Sequence, residues 1–176
     1  MSKILPTVKP VKLICGILNN ESMDSAKIDS QLISLFGQIE LKSFIFPFNF
    51  TRYYEDEMGP NLSKQFYAFE KLVMPDNLAD IKNSTINLET EYSSGGRRNI
   101  NLDPGYLEES KLVLASTKNF SHRIYLRDNI WAEITLRYVN NEFVTHPWTY
   151  ADYQQKLAVD FFKQVREKYR FQLNAM

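Results

Sequence analysis

The strongest strand pattern in the sequence lies at residues 122–145, HRIYLRDNIWAEITLRYVNNEFVT. β-branched and aromatic residues dominate three short runs within it, and polar turn residues separate those runs. The pair Asn140-Asn141 is a two-residue hairpin signal, because asparagine tolerates the left-handed backbone that tight hairpins require. The stretch therefore predicts an antiparallel meander with strands at 122–127, 130–139 and 142–145.

The first hairpin of this meander can be phased from its chemistry. A three-residue loop, Arg127-Asp128-Asn129 with Asn129 left-handed, separates the apolar from the polar positions. In that register Arg123 lies opposite Glu133, and Tyr125 lies opposite Trp131. The polar face fits either a solvated surface or a cleft wall, and the solvated surface is the favoured interpretation. This face consists of Arg123, Tyr125, Trp131, Glu133, Thr135 and Arg137.

Upstream of the meander, strand and helix patterns alternate. The run VKLICGIL, residues 11–18, is apolar throughout, which is typical of a strand buried on both faces. A helical spacing of apolar residues over 28–39 and an aromatic strand at 41–50 follow, so the three segments predict a βαβ unit. The same criteria predict helices at 61–73, 75–92 and 149–173, the last capped by Thr149 or Asp152, and strands at 98–102 and 111–117.

Strands that cluster after helices indicate the α+β class. We expect a single domain over residues 1–176, since domains usually have about 100–200 residues. Its sheet is predicted to be mixed and mostly antiparallel, with the βαβ unit at the N-terminal end and the C-terminal helix packed on the sheet. Residues 1–10, which include two prolines, are predicted to run extended.

Composition limits the class of partner. The 176 residues carry 21 basic and 21 acidic side chains, so neither bulk nucleic-acid binding nor attraction to a membrane is expected. A single cysteine fits a reducing compartment. No apolar run is long enough for a signal peptide or a transmembrane helix. The expected location is therefore the cytoplasm.

Several familiar sites are missing from the sequence. It contains no G-x-x-x-x-G-K-[ST], no G-x-G-x-x-G and no G-x-S-x-G, so no nucleotide loop or nucleophile elbow is predicted. Two histidines and Cys15, which lies in an apolar strand, give no zinc spacing. No metal site is predicted, and the sequence does not identify a cofactor.

Five segments nevertheless concentrate chemistry-bearing side chains. TRYYEDEMG, residues 51–59, offers phenols and carboxylates, and also fits an acidic helix start. Lys82, Thr85 and Glu89 share one helix edge, for which an exposed stripe is favoured. In RRNINLDPGY, residues 97–106, Asp-Pro-Gly is turn chemistry and the paired arginines could grip an anion. The other two are TKNFSHR, residues 117–123, and PWTYADY, residues 147–153, whose Trp148 is expected to fasten the last helix to the sheet.

Our leading hypothesis is a polar pocket for a small anionic ligand, which a phosphorylated compound would satisfy. Polar positions cluster at loop and strand ends, where binding sites usually lie. Arg98, Lys118 and Arg123 would neutralise the anion, and Glu57, His122 and Glu133 would be the acid–base groups if the protein were an enzyme. The ligand-binding set comprises Tyr53, Tyr54, Lys82, Arg98, Asp103, Lys118, Arg123 and Tyr150.

Two other functions fit the same sequence. Tyr125 and Trp131 could stack on bases beside Arg123 and Arg137, as in an RNA- or nucleotide-binding module. Alternatively, the chain could be a protein-interaction subunit, for which an apolar surface patch would be the sign.

Six stretches also resemble a known family, domain of unknown function 4416. They are TRYYEDEMG (51–59), FEKLVMPDNLADIK (69–82), RNINLDPGYL (98–107), KLVLASTKNFSHRIYL (111–126), AEITL (132–136) and WTYADY (148–153). Ala151 stands where that family pattern has proline. The resemblance implies a single-domain bacterial protein and brings no established activity.

Overall fold

A computed structural model describes residues 7–20 and 23–176. Over these residues the chain forms nine strands, four α-helices and one 3₁₀ turn at Pro75–Asn77. The strands are β1 (Val11–Asn20), β2 (Ile39–Lys42), β3 (Phe46–Pro47), β4 (Leu62–Val73), β5 (Ile100–Leu107), β6 (Lys111–Ser116), β7 (Ile124–Arg127), β8 (Ile130–Val139) and β9 (Glu142–Thr145). The helices are α1 (Ser25–Phe36), α2 (Glu55–Met58), α3 (Leu78–Glu91) and α4 (Lys156–Asn174).

The strands form one sheet in the order β2-β4-β1-β5-β6-β8-β7, with β3 beside β4 and β9 beside β8. Every pairing among the described strands is antiparallel. The α+β class is confirmed, and the described sheet is antiparallel throughout rather than mixed. The βαβ unit takes a split form: β1 and β2 run parallel, but β4 lies between them and pairs with both.

Helices cover both faces of the sheet. Phe161, Phe162 and Val165 of α4 pack with Ile14 and Phe66 on one face. On the opposite face, α1 and α3 pack against β1, β4 and β5, with Ile28, Leu32, Ile81 and Leu88 buried there. The C-terminal helix thus packs on the sheet, as the sequence predicts. None of the helices in the described part of the chain has the length and apolar character of a membrane span.

The meander matches its predicted strands closely. β8 and β9 have the expected bounds, and Asn140 and Asn141 both have positive φ. The first hairpin loop is shorter than predicted, because Asp128 and Asn129 form a two-residue turn. A bulge between Tyr125 and Arg127 restores the register, so Tyr125 still pairs with Trp131.

The predicted helix at 61–73 is wrong, since these residues form the long strand β4. Leu62, Phe66, Phe69 and Val73 happen to have helical spacing. β4 lies inside the sheet and is covered on both faces, so apolar residues occupy positions of both parities and no clean alternation appears. A buried lysine, Lys64, also interrupts the apolar pattern.

Two segment ends differ from prediction as well. α4 begins at Lys156, after a series of turns, and its N-cap is Gln155, so neither Thr149 nor Asp152 caps it. The predicted strand at 41–50 is divided into β2 and β3, which pair with different parts of β4. Of the predicted extended segment, residues 7–10 have no regular structure, and residues 1–6 lie outside the described residues.

Candidate functional site

A polar cavity lies where β5 and β6 separate. The two strands pair only over Gly105–Leu107 and Leu112–Leu114. Beyond Gly105, β5 continues along β1 down to Ile100, whereas β6 continues along β8 to Ser116. The sheet is therefore split between β5 and β6, and the cavity occupies that split.

The segment Asp-Pro-Gly-Tyr, residues 103–106, lies at the start of this split. Asp103, Pro104 and Gly105 pair with Gly16, Cys15 and Ile14 of β1, so the predicted turn is wrong. Leu102 bonds through its N–H and C=O to side chains of α3, which shows that these groups point away from β1. Strand residues two apart have the same orientation, and Pro104 has no N–H to offer β6. Proline thus suits the place where the ladder ends.

The split contains two adjoining cavities. The first has a volume of about 180 Å³ and lies between β5, the end of β6 and α3. The second has about 450 Å³ and extends toward β4 and the turn before α4. Five residues line both cavities, so together they form one cleft. These five are Tyr53, Tyr54, Asp103, Lys118 and Tyr150.

Lys82 and Glu89 close the cleft from the α3 side. Both are buried, at 6% and 5% exposure, so the exposed stripe predicted for this helix edge is wrong. Lys82 Nζ donates to the Leu102 carbonyl at 2.7 Å, and Glu89 Oε1 accepts from the Leu102 N–H at 2.7 Å. Burial raises the pKa of Glu89, although Lys82 and the Leu102 N–H oppose that shift. Lys82 and Glu89 therefore form the hydrogen bonds with the Leu102 backbone that a neighbouring strand would form if β6 continued beside β5.

Arg98 is held by carboxylates. Its Nε and Nη2 donate to the two carboxylate oxygens of Glu57 at 2.7 and 2.8 Å, and Nη1 donates to Glu89 at 3.3 Å. The bidentate bond to Arg98 lowers the pKa of Glu57. Arg98, one of the two arginines predicted to bind an anion, thus binds the Glu57 carboxylate. The other, Arg97, is exposed and does not line the cavity.

Glu133 forms part of the opposite wall. It is 2% exposed, so the solvated face predicted for this strand is wrong at this position. Its Oε2 accepts from Arg123 Nε at 2.7 Å and lies 3.1 Å from His122 Nε2. Arg123 Nη2 donates to the Tyr150 hydroxyl at 2.7 Å, and burial raises the pKa of Tyr150. The predicted Arg123–Glu133 pair is confirmed, and it orients Tyr150 at the cleft.

Lys118 lies at the cleft mouth and bonds to Tyr53. Its Nζ donates to the Tyr53 hydroxyl at 2.8 Å and lies 4.4 Å from the centre of that ring. The hydrogen bond from Lys118 lowers the pKa of Tyr53, and burial raises that of Tyr54. Tyr54 is therefore a neutral hydrogen-bond donor, whereas Tyr53 is closer to ionisation.

Lys64 and Asp152 are cleft residues that the sequence did not reveal. Lys64 is 2% exposed, and its Nζ lies 2.8 Å from Asp103 Oδ2 and 3.3 Å from Asp152 Oδ2. Burial would raise the pKa of Asp103, but the ammonium groups of Lys64 and Lys82 outweigh it and lower that pKa. A period-two reading of LSKQFYAF would have placed Lys64 with Leu62 and Phe66 on one strand face.

Gly16 creates the space that this buried ion pair occupies. A Cβ at this position would lie 2.8 Å from the Tyr153 hydroxyl and 3.1 Å from Lys64 Nζ. Tyr153 is 1% exposed, and its hydroxyl has no hydrogen-bond partner among the residues that the structure describes. Burial raises the pKa of Tyr153 well above the ordinary value. The floor of the cleft is thus tightly packed around Lys64.

The structure brings the predicted site residues together. Eight of the eleven line the cleft: Tyr53, Tyr54, Lys82, Arg98, Asp103, Lys118, Glu133 and Tyr150. The remaining three, Glu57, His122 and Arg123, bond directly to a lining residue. Among the acid–base candidates, Glu133 alone lines a cavity, whereas Glu57 and His122 each hold another side chain.

The family was determined by comparison with known proteins. A family model described as "Domain of unknown function (DUF4416)" matches residues 9–169 of the 176. The chain belongs to the DUF4416 family. No curated protein and no solved structure gives a significant match to the chain. The DUF4416 segments at 51–59, 98–107 and 111–126 all contribute residues to the lining of the cleft.

Trp148 lies beside the site rather than in it. It stacks between two histidines, His122 at 4.8 Å and His146 at 4.7 Å between ring centres. Its Nε1 donates to the Ile134 carbonyl at 2.9 Å. Trp148 thus fastens the segment before α4 to the sheet, and its stacking orients His122 toward Glu133.

Neither a metal centre nor a reactive thiol is found in the part of the chain that the structure describes. No group of three or more histidine, cysteine, aspartate or glutamate side chains there is arranged to hold a metal ion. Cys15 is buried, and burial raises its pKa to about 12. The thiol is therefore inert at neutral pH.

Proposed function

We propose that the cleft of this DUF4416 protein binds a small anionic ligand through Lys118. The observation that supports the proposal is the state of the lining cations. Lys64, Lys82 and Arg98 each lie within 4.0 Å of a carboxylate, whereas Lys118 has no such partner among the described residues. Its ammonium, bonded only to a phenol, is the cation available to an incoming anion.

The hydroxyl groups beside Lys118 support the proposal that the anion is an oxyanion. Ser116 and Thr117 line the first cavity next to it. Ser116 Oγ accepts from the Lys118 N–H at 3.1 Å, and Arg123 Nη1 donates to the Lys118 carbonyl at 2.7 Å. These bonds fix the loop that carries the ammonium, so an anion would meet a preorganised set of donors.

The other charges of the cleft limit the size of the anion. The first cavity is lined by Lys82, Arg98 and Lys118 and by Glu89, Asp103 and Glu133, which sums to no net charge. Such a lining favours one compact anionic group, a phosphate or a carboxylate, over a polyanion. Of the three predicted acid–base groups, Glu57, His122 and Glu133, only Glu133 lines the first cavity, so acid–base chemistry by a predicted group would fall to Glu133.

The setting follows from the family and the composition. Membership in the DUF4416 family and the single, buried cysteine favour a bacterial protein of the cytoplasm. The RNA-binding alternative has weaker support, because Arg123 is occupied by Glu133 and Tyr150, and Tyr125 contacts Trp131 edge to face.

Removal of the Lys118 ammonium tests the proposal. Ribose 5-phosphate is titrated into the full chain by calorimetry, with ribose as the uncharged reference. Lys118→Ala should weaken phosphate-dependent binding about 10- to 100-fold, since a hydrogen bond to a charged group contributes about 1.5–3 kcal/mol. Lys156→Ala, at a lysine whose side chain is 87% exposed on α4, is the matched control and should bind normally.

Two results would count against a phosphate site at Lys118. One is equal binding of ribose and ribose 5-phosphate by the unaltered protein. The other is equal affinity of the Lys118→Ala and Lys156→Ala variants, both shown by thermal unfolding to be folded.

A further inference from the structure

We infer that the second cavity receives a flat heteroaromatic ring that belongs to the same ligand. This inference rests on the proposed anion site and names the rest of the molecule bound there. Ligand sites usually measure about 300–1,000 Å³. The first cavity, at about 180 Å³, therefore has room for only part of a ligand. The remainder would extend into the adjoining 450 Å³.

The walls of the second cavity favour a ring. Half of its twelve lining residues are aromatic, against 14% of the whole chain. Neighbouring rings are held edge to face: Phe48 and Phe50 are 5.5 Å apart, and Tyr53 and Tyr54 are 5.0 Å apart. Stacking on aromatic side chains is the usual means by which proteins hold a flat unsaturated ring.

A polar group stands at the border of the two cavities. Asp103 lines both, and 28% of its side chain is accessible. Its two oxygens accept from Asn101 and Lys64, but a carboxylate has about four acceptor positions. Asp103 can therefore accept further hydrogen bonds from hydroxyl or N–H groups that lie between the anion and the ring.

These three regions together specify a ligand class. An anionic group at Lys118, hydroxyl donors at Asp103 and a flat ring among the aromatic walls correspond to a phosphorylated, hydroxylated linker that carries a heteroaromatic ring. Nucleoside monophosphates have that chemistry. The charge balance of the first cavity fits one phosphate better than a chain of several.

A panel of ligand fragments tests the ring cavity. The probes are ribose 5-phosphate, the four common nucleosides, and the corresponding adenosine, guanosine, cytidine and uridine 5′-monophosphates. At least one monophosphate should bind about tenfold or more tightly than ribose 5-phosphate, which corresponds to stacking of one base. Phe50→Leu should remove most of that advantage and leave ribose 5-phosphate binding unchanged. Phe171→Leu, at a phenylalanine that is 76% exposed on α4, is the matched control.

A second variant tests the same cavity if Phe50→Leu fails to fold. Ala151 is exposed and lines only the second cavity, so Ala151→Trp should fill that cavity from its rim. It should abolish the tighter binding of the monophosphate and spare ribose 5-phosphate. Thermal unfolding shows which variants are folded.

The outcomes separate this inference from the proposed function. If no monophosphate binds more tightly than ribose 5-phosphate, the inference that the second cavity receives a ring is overturned, whereas the anion site at Lys118 is unaffected. If Ala151→Trp weakens both kinds of ligand equally, the ring has no separate cavity. If a nucleoside binds as tightly as its monophosphate and Lys118→Ala leaves both affinities unchanged, the anion site is overturned, whereas the inference about the second cavity is unaffected.

Discussion

The chemistry of the cleft depends on which side chains already have partners. Arg98, Lys64 and Arg123 are bonded to carboxylates, so they organise the walls rather than receive an anion. Lys118 differs because, within the described part of the chain, its ammonium bonds only to the Tyr53 phenol. These cations look alike in the sequence. The presence or absence of a carboxylate partner distinguishes those that organise the walls from the one that can receive an anion.

The Lys118–Tyr53 bond predicts an altered titration. Because the ammonium stabilises the phenolate, the pKa of Tyr53 should lie below its ordinary value of 10.0. Ionisation of Tyr53 should therefore occur at lower pH than that of an unperturbed tyrosine. NMR of ring-¹³C-labelled tyrosine, assigned with Tyr53→Phe, measures it directly.

Lys118→Met removes the charge and should raise the pKa of Tyr53 toward the ordinary value, while Lys156→Met should leave it unchanged. Titration of Tyr53 at or above 10, or the same curve in both lysine variants, would show that the pair is not formed in solution.

At the scale of elements, the separation of β5 from β6 creates the cleft. Pro104 lacks the N–H that would extend the ladder, and Gly105 allows the closest approach of the two strands. A Cβ at Gly105 would lie 2.3 Å from the Val113 carbonyl oxygen and 2.6 Å from Leu114 Cδ2. The neighbouring atom is backbone, which cannot rotate away.

Gly105→Ala should therefore destabilise the fold by about 1–3 kcal/mol or more, as overpacking of a core does. Gly16→Ala is the comparison, since the atoms that it would meet are the ends of the Tyr153 and Lys64 side chains. We expect it to cost less. Urea unfolding of both variants measures the difference, and a larger loss for Gly16→Ala would contradict this account of the split.

Sequence patterns predicted those elements whose local chemistry is unambiguous. The asparagine pair at 140–141 predicts the hairpin of β8 and β9, and the separation of apolar from polar positions predicts the register that places Arg123 opposite Glu133. The spacing of apolar residues predicts a helix where β4 lies, because a strand covered on both faces lacks a clean alternation of apolar and polar residues. Asp-Pro-Gly predicts a turn from local chemistry alone, because its partner strand, β1, lies some ninety residues earlier in the chain, at Ile14–Gly16.

For the whole molecule, the balance of charge proves to be local. The chain has 21 basic and 21 acidic side chains, and the lining of the first cavity likewise balances three of each. The sequence could predict that polar residues of the loops gather in one place. It could not predict which of them are neutralised there, because the partners come from distant strands, as Lys64 and Asp103 do.

The proposed site in the split between β5 and β6 binds a small anion at Lys118. Titration of ¹⁵N-labelled full chain with inorganic phosphate, followed by amide NMR, tests it most directly. We expect saturable shifts centred on Ser116–Lys118 and on Tyr53, and their loss in Lys118→Ala. Shifts confined to exposed lysines such as Lys156, or no saturable shifts at all, would contradict the claim.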